Sequence, residues 1–389
     1  MKMENLVTRQ NSLWGNEIAD VAFENEDFLT QQLITYIGNK RSLLEFIGKG
    51  VEIVRERLGK DKVSCFDVFA GSGVVSRYLK RFSSLLISND LELYAKVIGD
   101  CYLSNLSEVP LSKIREYYVD LSMKLKDQSK YRSGFIREMY SPENMESIKL
   151  GERCFYTPRN ALYLDTARQL IESLPKDYTK YFLAPLLSEA SVHANTSGVF
   201  KGFYKNTESG LGQFGGNNKD ALLRILGDIE LKMPIFSNFE CDVQVHRGDA
   251  NQIAKCVDEV DIAYMDPPYN QHPYGSNYFM LNLLVDYIRP TNVSDVSGIP
   301  EDWCRSDYNK KQKSLVAMAD LVASTNAKFL LISFNSEGFI NLDEMLEILG
   351  KHGKVEVLET KYNTFRGSRN LSGRDIHVKE YLYLVEKSK

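Results

Sequence analysis

A carboxylate and an aromatic ring lie close together where the chain leaves a short apolar stretch. Residues 262–265 are apolar and include one aromatic residue, which predicts a buried strand. Pro267 and Pro268 follow, and proline cannot continue a strand ladder. Because the residue before a proline is restricted to extended geometry, Asp266 is held rigidly at the carboxyl end of this strand. In open α/β sheets, ligands bind at that end.

The residues from Asp266 to Tyr269 have the chemistry to hold a flat ring that carries an amino group. The carboxylate and a free backbone carbonyl would accept two N–H hydrogen bonds, and the Tyr269 ring would stack on the flat face. The same residues could instead form only a turn with a solvated carboxylate. A short motif does not decide between these interpretations, so the rest of the sequence has to.

A second signal is a glycine turn between two predicted strands. An apolar strand from residue 63 runs into Gly71 and Gly73, and a helix follows. The third glycine of the dinucleotide fingerprint is missing, so a pyrophosphate is not specifically required. Asp90 ends the next predicted strand, 19 residues after Gly71, near the spacing at which an acid reaches ribose hydroxyls. Together these features predict a nucleoside-binding half of an α/β fold.

Two further polar residues stand at predicted element boundaries. Lys40 follows Gly38 and Asn39 just before a helical pattern, where an ammonium and backbone N–H groups could bind an anion. An ordinary start of a helix explains the same pattern. Asp249 follows a predicted strand at 239–245 and could bond the amine of a bound purine or cap the next helix, predicted from residue 251 to 257.

Residues 101–240 differ in character from the flanking α/β pattern. We predict helices here and at the preceding boundary, at residues 93–106, 111–126, 161–173 and 180–194. Lys201, Tyr204 and Lys205 lie in a loop that mixes aromatic residues with lysine, glycine and asparagine. Such a loop suits phosphate contact and base stacking, although a basic, mobile surface loop would look the same. We interpret this region as an inserted helical module that recognises substrate.

The net charge of the chain indicates that any contact with nucleic acid is made by local basic patches. The chain of 389 residues has a formal net charge of −4, whereas a protein that coats nucleic acid generally is basic. A late loop contains Arg366, Arg369 and Arg374 and no acid, so phosphate contact is expected there as well. These patches are compatible with an enzyme that binds one short site.

Composition also bounds the class of protein. The length predicts about two domains, and 43% hydrophobic with 26% charged residues is typical of a soluble globular protein. The six cysteines show no C-x-x-C spacing, which indicates neither a zinc site nor a redox motif and favours a reducing compartment. Since the sequence has no run of 18 apolar residues and no signal peptide, we expect a cytoplasmic protein without a membrane segment.

With these motifs in order along the chain, the sequence resembles the D12 class of adenine-specific DNA methyltransferases, the family of Dam-like enzymes. The resemblance is carried by separate motifs: residues 36–40, 67–73 and Asp90, 266–269, and the late pieces 365–370 and 380–382. Asn39 departs from a glycine that is common in relatives. Residues 101–240 resemble the family much less, and this region is expected to set the target sequence.

The resemblance implies roles for individual residues. It implies that S-adenosylmethionine is the methyl donor and S-adenosylhomocysteine the product, that no metal is needed, and that the cofactor is held by Tyr36, Lys40, Asp67, Phe69, Gly71, Gly73, Asp90 and Asp249. Lys40 would pair with the methionine carboxylate, Asp67 would lie near the amino group, and Asp90 would hold the ribose. The catalytic residues would be Asp266, Pro267, Pro268 and Tyr269, acting on the amine of an adenine that is flipped out of duplex DNA.

The expected fold is α/β, a Rossmann-like methyltransferase sheet with an inserted, mainly helical DNA-recognition domain. We predict an N-terminal arm at 1–30, a discontinuous catalytic domain at 31–100 and 241–389, and a recognition domain at 101–240. Expected partners are double-stranded DNA and a cognate restriction endonuclease, and the expected state is a monomer or weak dimer.

Three alternatives remain from the sequence. An RNA adenine methyltransferase could use the same pocket. A methyltransferase for the cytosine amine more often resembles Ser-Pro-Pro-Tyr, so Asp266 favours adenine. A catalytically silent regulator that binds nucleic acid is disfavoured by the intact pair Asp266 and Tyr269 and the intact glycine turn.

Overall fold

The computed structural model describes residues 23–216, 219–336, 338–363 and 377–388. The helices are α1 Glu26–Thr30, α2 Leu44–Leu58, α3 Val74–Lys80, α4 Leu93–Tyr102, α5 Leu111–Lys126, α6 Phe135–Tyr140, α7 Pro158–Glu172, α8 Lys176–Val192, α9 Leu222–Leu226, α10 Ala250–Ala254, α11 Tyr274–Asn277, α12 Phe279–Asp286, α13 Lys311–Ser324 and α14 Leu342–Gly350. The strands are β1 Val63–Asp67, β2 Ser83–Asp90, β3 Asp242–Arg247, β4 Val260–Met265, β5 Ala327–Asn335, β6 Gly353–Asn363 and β7 His377–Lys387.

All seven strands form one sheet, in the order β3-β2-β1-β4-β5-β7-β6. The first five strands of this order run parallel, and β7 runs antiparallel to both β5 and β6. From β1 the chain proceeds outward through β2 to β3, whereas from β4 it proceeds outward through β5 in the opposite direction. The strand order therefore reverses between β1 and β4, and ligands bind outside the carboxyl ends of strands at such a point.

Apolar side chains cover the sheet on both faces. Successive residues of a strand point to opposite faces, and in β4 Ile262 and Tyr264 join the cluster that contains α2 and α3. Ala263 and Met265 join the cluster on the other face, which includes residues of α10, α13 and α14. Every residue of β4 is buried, which explains the apolar run at residues 262–265; the one charged residue of the strand, Asp261, pairs with Lys60 and Lys328.

The helices of residues 101–240 pack at one end of this sheet. A single apolar cluster contains residues of α5, α6, α7 and α8 together with Tyr94 and Ile98 of α4 and Phe279–Leu284 of α12. The α/β architecture that we predicted is confirmed, and α5, α6, α7 and α8 share an apolar core with α4 and α12. The division into catalytic and recognition domains stays a prediction.

Several helices and strands begin or end at residues other than the predicted ones. Helix α7 begins at Pro158 rather than at 161 because Thr157 caps it by accepting a hydrogen bond from the Asn160 N–H, and proline is tolerated in the first turn. Helix α4 ends at Tyr102 rather than at 106, α8 begins at Lys176 rather than at 180, and β3 begins at Asp242 rather than at 239.

The described part of the expected N-terminal arm is ordered against the body of the protein. Asn25 caps α1, and Phe28 within it is fully buried. Arg77 donates hydrogen bonds to the carbonyls of Phe28 and Gln31. Residues 26–30 are therefore helical rather than irregular, and residues 1–22 lie outside the described residues. Within the described ranges, no helix has both the length and the apolar character needed to cross a membrane.

Candidate active site

The cavity that gathers most of the predicted site residues lies at the carboxyl ends of β1, β2 and β4. The backbone N–H of Val68 donates to the Tyr264 carbonyl at 3.0 Å, and that of Ala70 donates to the Asn89 carbonyl at 2.8 Å. These bonds place the glycine turn between the ends of β4 and β2. The predicted site residues that line the cavity are Tyr36, Lys40, Phe69, Gly71, Asp90, Asp249, Asp266 and Pro268. The predicted motifs therefore meet in one cleft.

At Gly71 the backbone of the cavity wall lies very close to the side chain of Tyr36. The φ of +54° at Gly71 is one that residues with a Cβ rarely adopt, and a methyl group on Gly71 would lie 2.9 Å from Cε1 of Tyr36. The Gly71 N–H donates to Oδ2 of Asp90 at 2.8 Å. Gly73 has a φ of +76° and begins α3 behind this wall. Only glycine combines this turn with the Tyr36 contact.

Two acids follow one another at the end of β2. Asp90 accepts hydrogen bonds from the backbone N–H groups of Gly71 and, through Oδ1, of Glu92 at 2.9 Å, so it braces the turn while facing the cavity. Glu92 lines the cavity too and accepts a hydrogen bond from Asn282 of α12 at 2.6 Å. Burial raises the pKa of Glu92 to about 7. Glu92 could not be predicted from the sequence, because its place in the cavity depends on contacts with distant segments such as α12.

Asp67 lies beneath the cavity rather than in its wall. Its side chain is fully buried and accepts a hydrogen bond from Ser76 Oγ at 2.6 Å. Burial raises the pKa of Asp67 to about 7, although the Ser76 hydrogen bond opposes this. The expected contact of Asp67 with a cofactor amine stays a prediction, and what the structure assigns to it is the support of α3 through Ser76.

Asp249 caps a helix, as one of the two interpretations of the sequence predicted, and its contact with a purine stays a prediction. Its Oδ1 accepts hydrogen bonds from the backbone N–H groups of Asn251 and Gln252, both at 3.1 Å, and so caps α10. The same residue lines the cavity opposite Lys40 and Asp266. The cap fixes the carboxylate at the cavity, which is compatible with a contact to a bound purine.

Lys40 is joined to the catalytic candidate itself. Its Nζ lies 3.1 Å from Oδ1 of Asp266 and 2.8 Å from Oε1 of Glu380, and the lysine is only 3% exposed. We expected Lys40 to pair with a carboxylate of the cofactor; in this structure two carboxylates of the protein already pair with it. Glu380 lies 340 residues away along the chain, so spacing could not reveal this contact.

The pair sets the charge state of Asp266. Burial raises the pKa of Asp266 to about 6, and the Lys40 ammonium opposes that rise. Burial also lowers the pKa of Lys40, but Asp266 and Glu380 outweigh it and raise that pKa well above its usual value. Near pH 7.5 Asp266 is therefore mainly an anion beside a cation, and it can accept a hydrogen bond.

A second, smaller cavity lies on the other side of Pro268. It is lined by Ile37, Pro268, Tyr269, Asn270, His272, Tyr274 and Asn277. Pro268 and Tyr274 line both cavities and form the wall between them. Molecules bound in the two cavities would be separated only by this wall. Tyr269 contributes its ring to the second cavity, with Lys40 Nζ 5.4 Å from the ring centroid.

Stacked tyrosines hold the wall between the two cavities. The Tyr36 ring stacks on Tyr274 with centroids 4.9 Å apart and on Tyr278 with centroids 4.8 Å apart. The backbone N–H of Ile37, in the same segment as Tyr36, donates to the Tyr278 hydroxyl at 2.7 Å. The N-terminal motif and the segment after β4 thus form one unit.

Comparison with known proteins agrees with this geometry. Residues 36–348 match the profile of the family described as D12 class N6 adenine-specific DNA methyltransferase. The chain belongs to this family.

Three related proteins show how far the similarity extends. The type II methyltransferase M.NlaIII of Neisseria lactamica is 29% identical over 91% of this chain and all of its own length. The type II methyltransferase M.CviAII of Paramecium bursaria Chlorella virus 1 is 28% identical over 90% of this chain and 98% of its own. Modification methylase StsI of Streptococcus sanguinis is 29% identical over 90% of this chain, which corresponds to 52% of the relative.

The loop that contains Lys201, Tyr204 and Lys205 lies beside the second cavity, which Asn277 lines. The backbone N–H of Phe200 donates to the Asn277 carbonyl at 2.6 Å, which ties the loop to α11. Lys201 is exposed, and Lys205 lies with its Nζ 5.0 Å from the centroid of the Phe203 ring. Tyr204 is half-buried. DNA contact by these residues stays a prediction, and Arg366, Arg369 and Arg374 lie outside the described residues.

Proposed function

We propose that the protein transfers a methyl group from S-adenosylmethionine to the N6 amine of an adenine in a short duplex DNA site, as the modification enzyme of a restriction–modification system. The observation that carries the proposal is the position of Asp266. It is held by Lys40 at the end of β4, beside the wall that the two cavities share. The names of the relatives, type II methyltransferase and modification methylase, support the biological context.

The first cavity fits the cofactor. Gly71 opens the backbone to close approach, and Asp90, Glu92 and Asp249 offer carboxylates to hydroxyl and amino groups. Asn89 also lines the cavity, and its buried Oδ1 has no hydrogen-bond partner among the described residues. A buried polar atom without a partner is costly, and a bound ligand can supply one. When bound, S-adenosylmethionine supplies an electrophilic methyl group on a positively charged sulfur.

Asp266 and Pro267 would activate the acceptor amine. The lone pair of the adenine amine is delocalised into the ring, so the amine is a poor nucleophile. Hydrogen bonds from its two N–H groups to the Asp266 carboxylate and the Pro267 carbonyl raise the electron density on nitrogen and fix its direction. Positioning of this kind supplies a large share of the rate in a reaction between two bound molecules.

The second cavity would receive the extruded base. An adenine inside a duplex is out of reach of Asp266, so it must leave the stack at a cost of a few kcal/mol. Tyr269 offers a ring for stacking in this cavity, and base–aromatic stacking returns about 1–3 kcal/mol. The hydrogen bond between Phe200 and Asn277 brings the loop of Lys201, Tyr204 and Lys205 next to this cavity, which supports a role of the loop in DNA contact.

The test is a substitution that removes the negative charge of Asp266 and keeps the shape of its side chain. Asp266→Asn should lower labelled methyl transfer to duplex DNA by about 100-fold or more, the loss typical of one preorganised group at a reacting centre. Binding of fluorescent duplex DNA should change little. Asp320→Asn, which removes an exposed carboxylate that pairs with Lys255, is the matched control and should be fully active. Transfer by Asp266→Asn at the wild-type rate, or preferred labelling of an RNA duplex of the same sequence, would contradict the proposal.

A further inference from the structure

Glu380 takes part in the buried cluster around Asp266, although it belongs to none of the motifs at the cofactor turn or after β4. It lies in β7 and is 1% exposed. Its Oε1 is 2.8 Å from Lys40 Nζ and accepts a hydrogen bond from Ser333 Oγ at 2.8 Å. Lys40 Nζ is at the same time 3.1 Å from Asp266 Oδ1. One buried ammonium therefore joins two carboxylates that come from different strands.

The cluster contains more negative charge than a stable ion pair requires. Lys40 and Asp266 alone would balance each other, and burying a third charged group costs free energy unless it is well paired. With Glu380 the three groups sum to −1. A net negative site suits a methyl donor whose sulfur is positively charged, so the extra carboxylate has a use in the reaction beyond holding the fold together.

Glu380 also divides the attraction of Lys40 between two partners. A carboxylate that shares its counter-ion stays a better hydrogen-bond acceptor than one that has the counter-ion to itself. The direction of the effect agrees with the electrostatics at Asp266, whose pKa is raised by burial and by Glu380 and lowered by Lys40. The strength of Asp266 as a hydrogen-bond acceptor thus depends on Glu380. Because Lys40 stands between Glu380 and Asp266, Glu380 itself does not touch the target base.

We propose that Glu380 is a positioning residue for methyl transfer: it holds the Lys40 ammonium partly away from Asp266, so that the Asp266 carboxylate remains a strong acceptor for the target amine. The proposal rests on the function proposed above. Ser333 fixes Glu380 from β5, and together these residues connect the antiparallel edge of the sheet to the reacting centre.

Other groups near the cluster do not confuse a pH measurement. Tyr264 from β4 and Tyr274 from α11 face Asp266, and burial raises the pKa of each well above its usual value, so both stay neutral. Tyr269 faces Lys40. Asp67 from β1 is the remaining described acid that interacts with Asp266, and its pKa is about 7. Glu92 of the cofactor cavity also has a pKa of about 7 and titrates in the same pH range. Variants of Glu380 leave both Asp67 and Glu92 in place, so the difference between wild type and variant reports on the cluster.

The experiment is the pH dependence of kcat/KM for methylation of duplex DNA, which reports the ionisation of groups in the free enzyme. Asp266 must be an anion to accept a hydrogen bond, so activity of the wild type should fall as pH drops through about 6. Glu380→Gln keeps the size of the side chain and can still accept from Lys40 and Ser333. This variant should move the acidic limb of the pH profile, the fall in activity as pH drops, to lower pH. It should also reduce kcat on the order of tenfold, in the range of coupling between contacting residues.

Lys40→Gln should have the opposite effect on the limb. Without the ammonium, Asp266 is harder to ionise, so the limb should move to higher pH. In the Lys40→Gln background only the direct effect of the Glu380 charge on Asp266 is left. There Glu380→Gln should move the limb less than it does in the wild type, and the two effects on kcat should be non-additive. Glu386→Gln is the matched control, since Glu386 lies in the same strand but is exposed and pairs with Arg57. It should leave both limb and kcat unchanged.

Several outcomes overturn the proposal. A purely structural role for Glu380 would lower the amount of active enzyme without moving the limb. A limb that moves to higher pH in Glu380→Gln, or additive effects with Lys40→Gln, would also refute it. If Glu380→Gln does not fold, Glu380→Asp keeps the charge, and its limb should stay near the wild-type position while kcat falls; a limb at lower pH would count against the proposal. An inactive wild-type enzyme on DNA would instead refute the proposed function, so the two failures are distinguishable.

Discussion

Gly71→Ala is the most informative single substitution at the cofactor cavity. Gly71 has a φ of +54°, and an added methyl group would lie 2.9 Å from Cε1 and 3.0 Å from the hydroxyl oxygen of Tyr36. Tyr36 cannot move aside easily because its ring stacks on both Tyr274 and Tyr278, which also stack on each other. We therefore expect the turn to shift into the cavity, which weakens the hydrogen bond from the Gly71 N–H to Asp90.

The magnitude follows from two separate costs. Alanine in the left-handed region costs about 1–2 kcal/mol, and a methyl group forced into a packed contact costs typically about 1–3 kcal/mol more. Gly59 separates the two, because it has a φ of +62° and a methyl group there would meet nothing within 4 Å. Gly59→Ala should therefore show the backbone cost alone, and Gly71→Ala the sum of both.

The assay combines stability with cofactor affinity. Urea unfolding should show a larger loss of stability for Gly71→Ala than for Gly59→Ala. Calorimetric titration with S-adenosylhomocysteine should show a dissociation constant at least about tenfold higher for Gly71→Ala, equivalent to about 1.4 kcal/mol, and an unchanged constant for Gly59→Ala. If Gly71→Ala bound the product as well as wild type does, the turn would not be part of the cofactor site.

Three further outcomes follow from the structure. Asn277 lines the second cavity. If its amide contacts the extruded base, Asn277→Ala should lower kcat/KM on DNA roughly tenfold, within the range for one base contact, at constant affinity for S-adenosylhomocysteine, and unchanged kinetics would exclude that contact. Because burial raises the pKa of Asp67 from its usual value to about 7, Asp67 contributes stability below about pH 4 that is lost as pH rises through 7. Urea unfolding of Asp67→Asn should lack that part of the decline, and parallel pH profiles would show that Asp67 is not perturbed. If Lys201 and Lys205 each neutralise a phosphate, the double alanine variant should reduce the slope of log K against log salt for duplex DNA by about 1.8, whereas an unchanged slope would place the DNA elsewhere.

The parts of the site that lie close in sequence could be predicted. The apolar strand, the two prolines and the glycine turn each have a local physical signature, and the strand bounds at Asp67, Asp90 and Met265 agree with the predicted ligand edge. Their meeting in one cavity follows from the rule that ligands bind where the strand order reverses. Local geometry and topology therefore sufficed for the location of the site.

Contacts between distant segments could not be predicted. The Lys40–Glu380 pair depends on β7 entering the sheet next to β5, antiparallel to it, which no local pattern specifies. The stacking of Tyr36 on Tyr274 likewise joins segments more than 200 residues apart. For this reason the sequence suggested a cofactor carboxylate as the partner of Lys40, while the fold supplies two carboxylates of its own.

The most direct test of the account is the identity of the methylated nucleoside. Duplex DNA of mixed sequence is incubated with the wild-type protein and S-adenosylmethionine that carries a deuterated methyl group, then digested to nucleosides and analysed by mass spectrometry. We predict the label in N6-methyldeoxyadenosine, with at least about 100-fold less label after the same incubation with Asp266→Asn. Label in a methylated cytosine, or DNA that stays unlabelled while the protein binds S-adenosylhomocysteine, would contradict the central claim that Asp266 presents an adenine amine to the methyl donor.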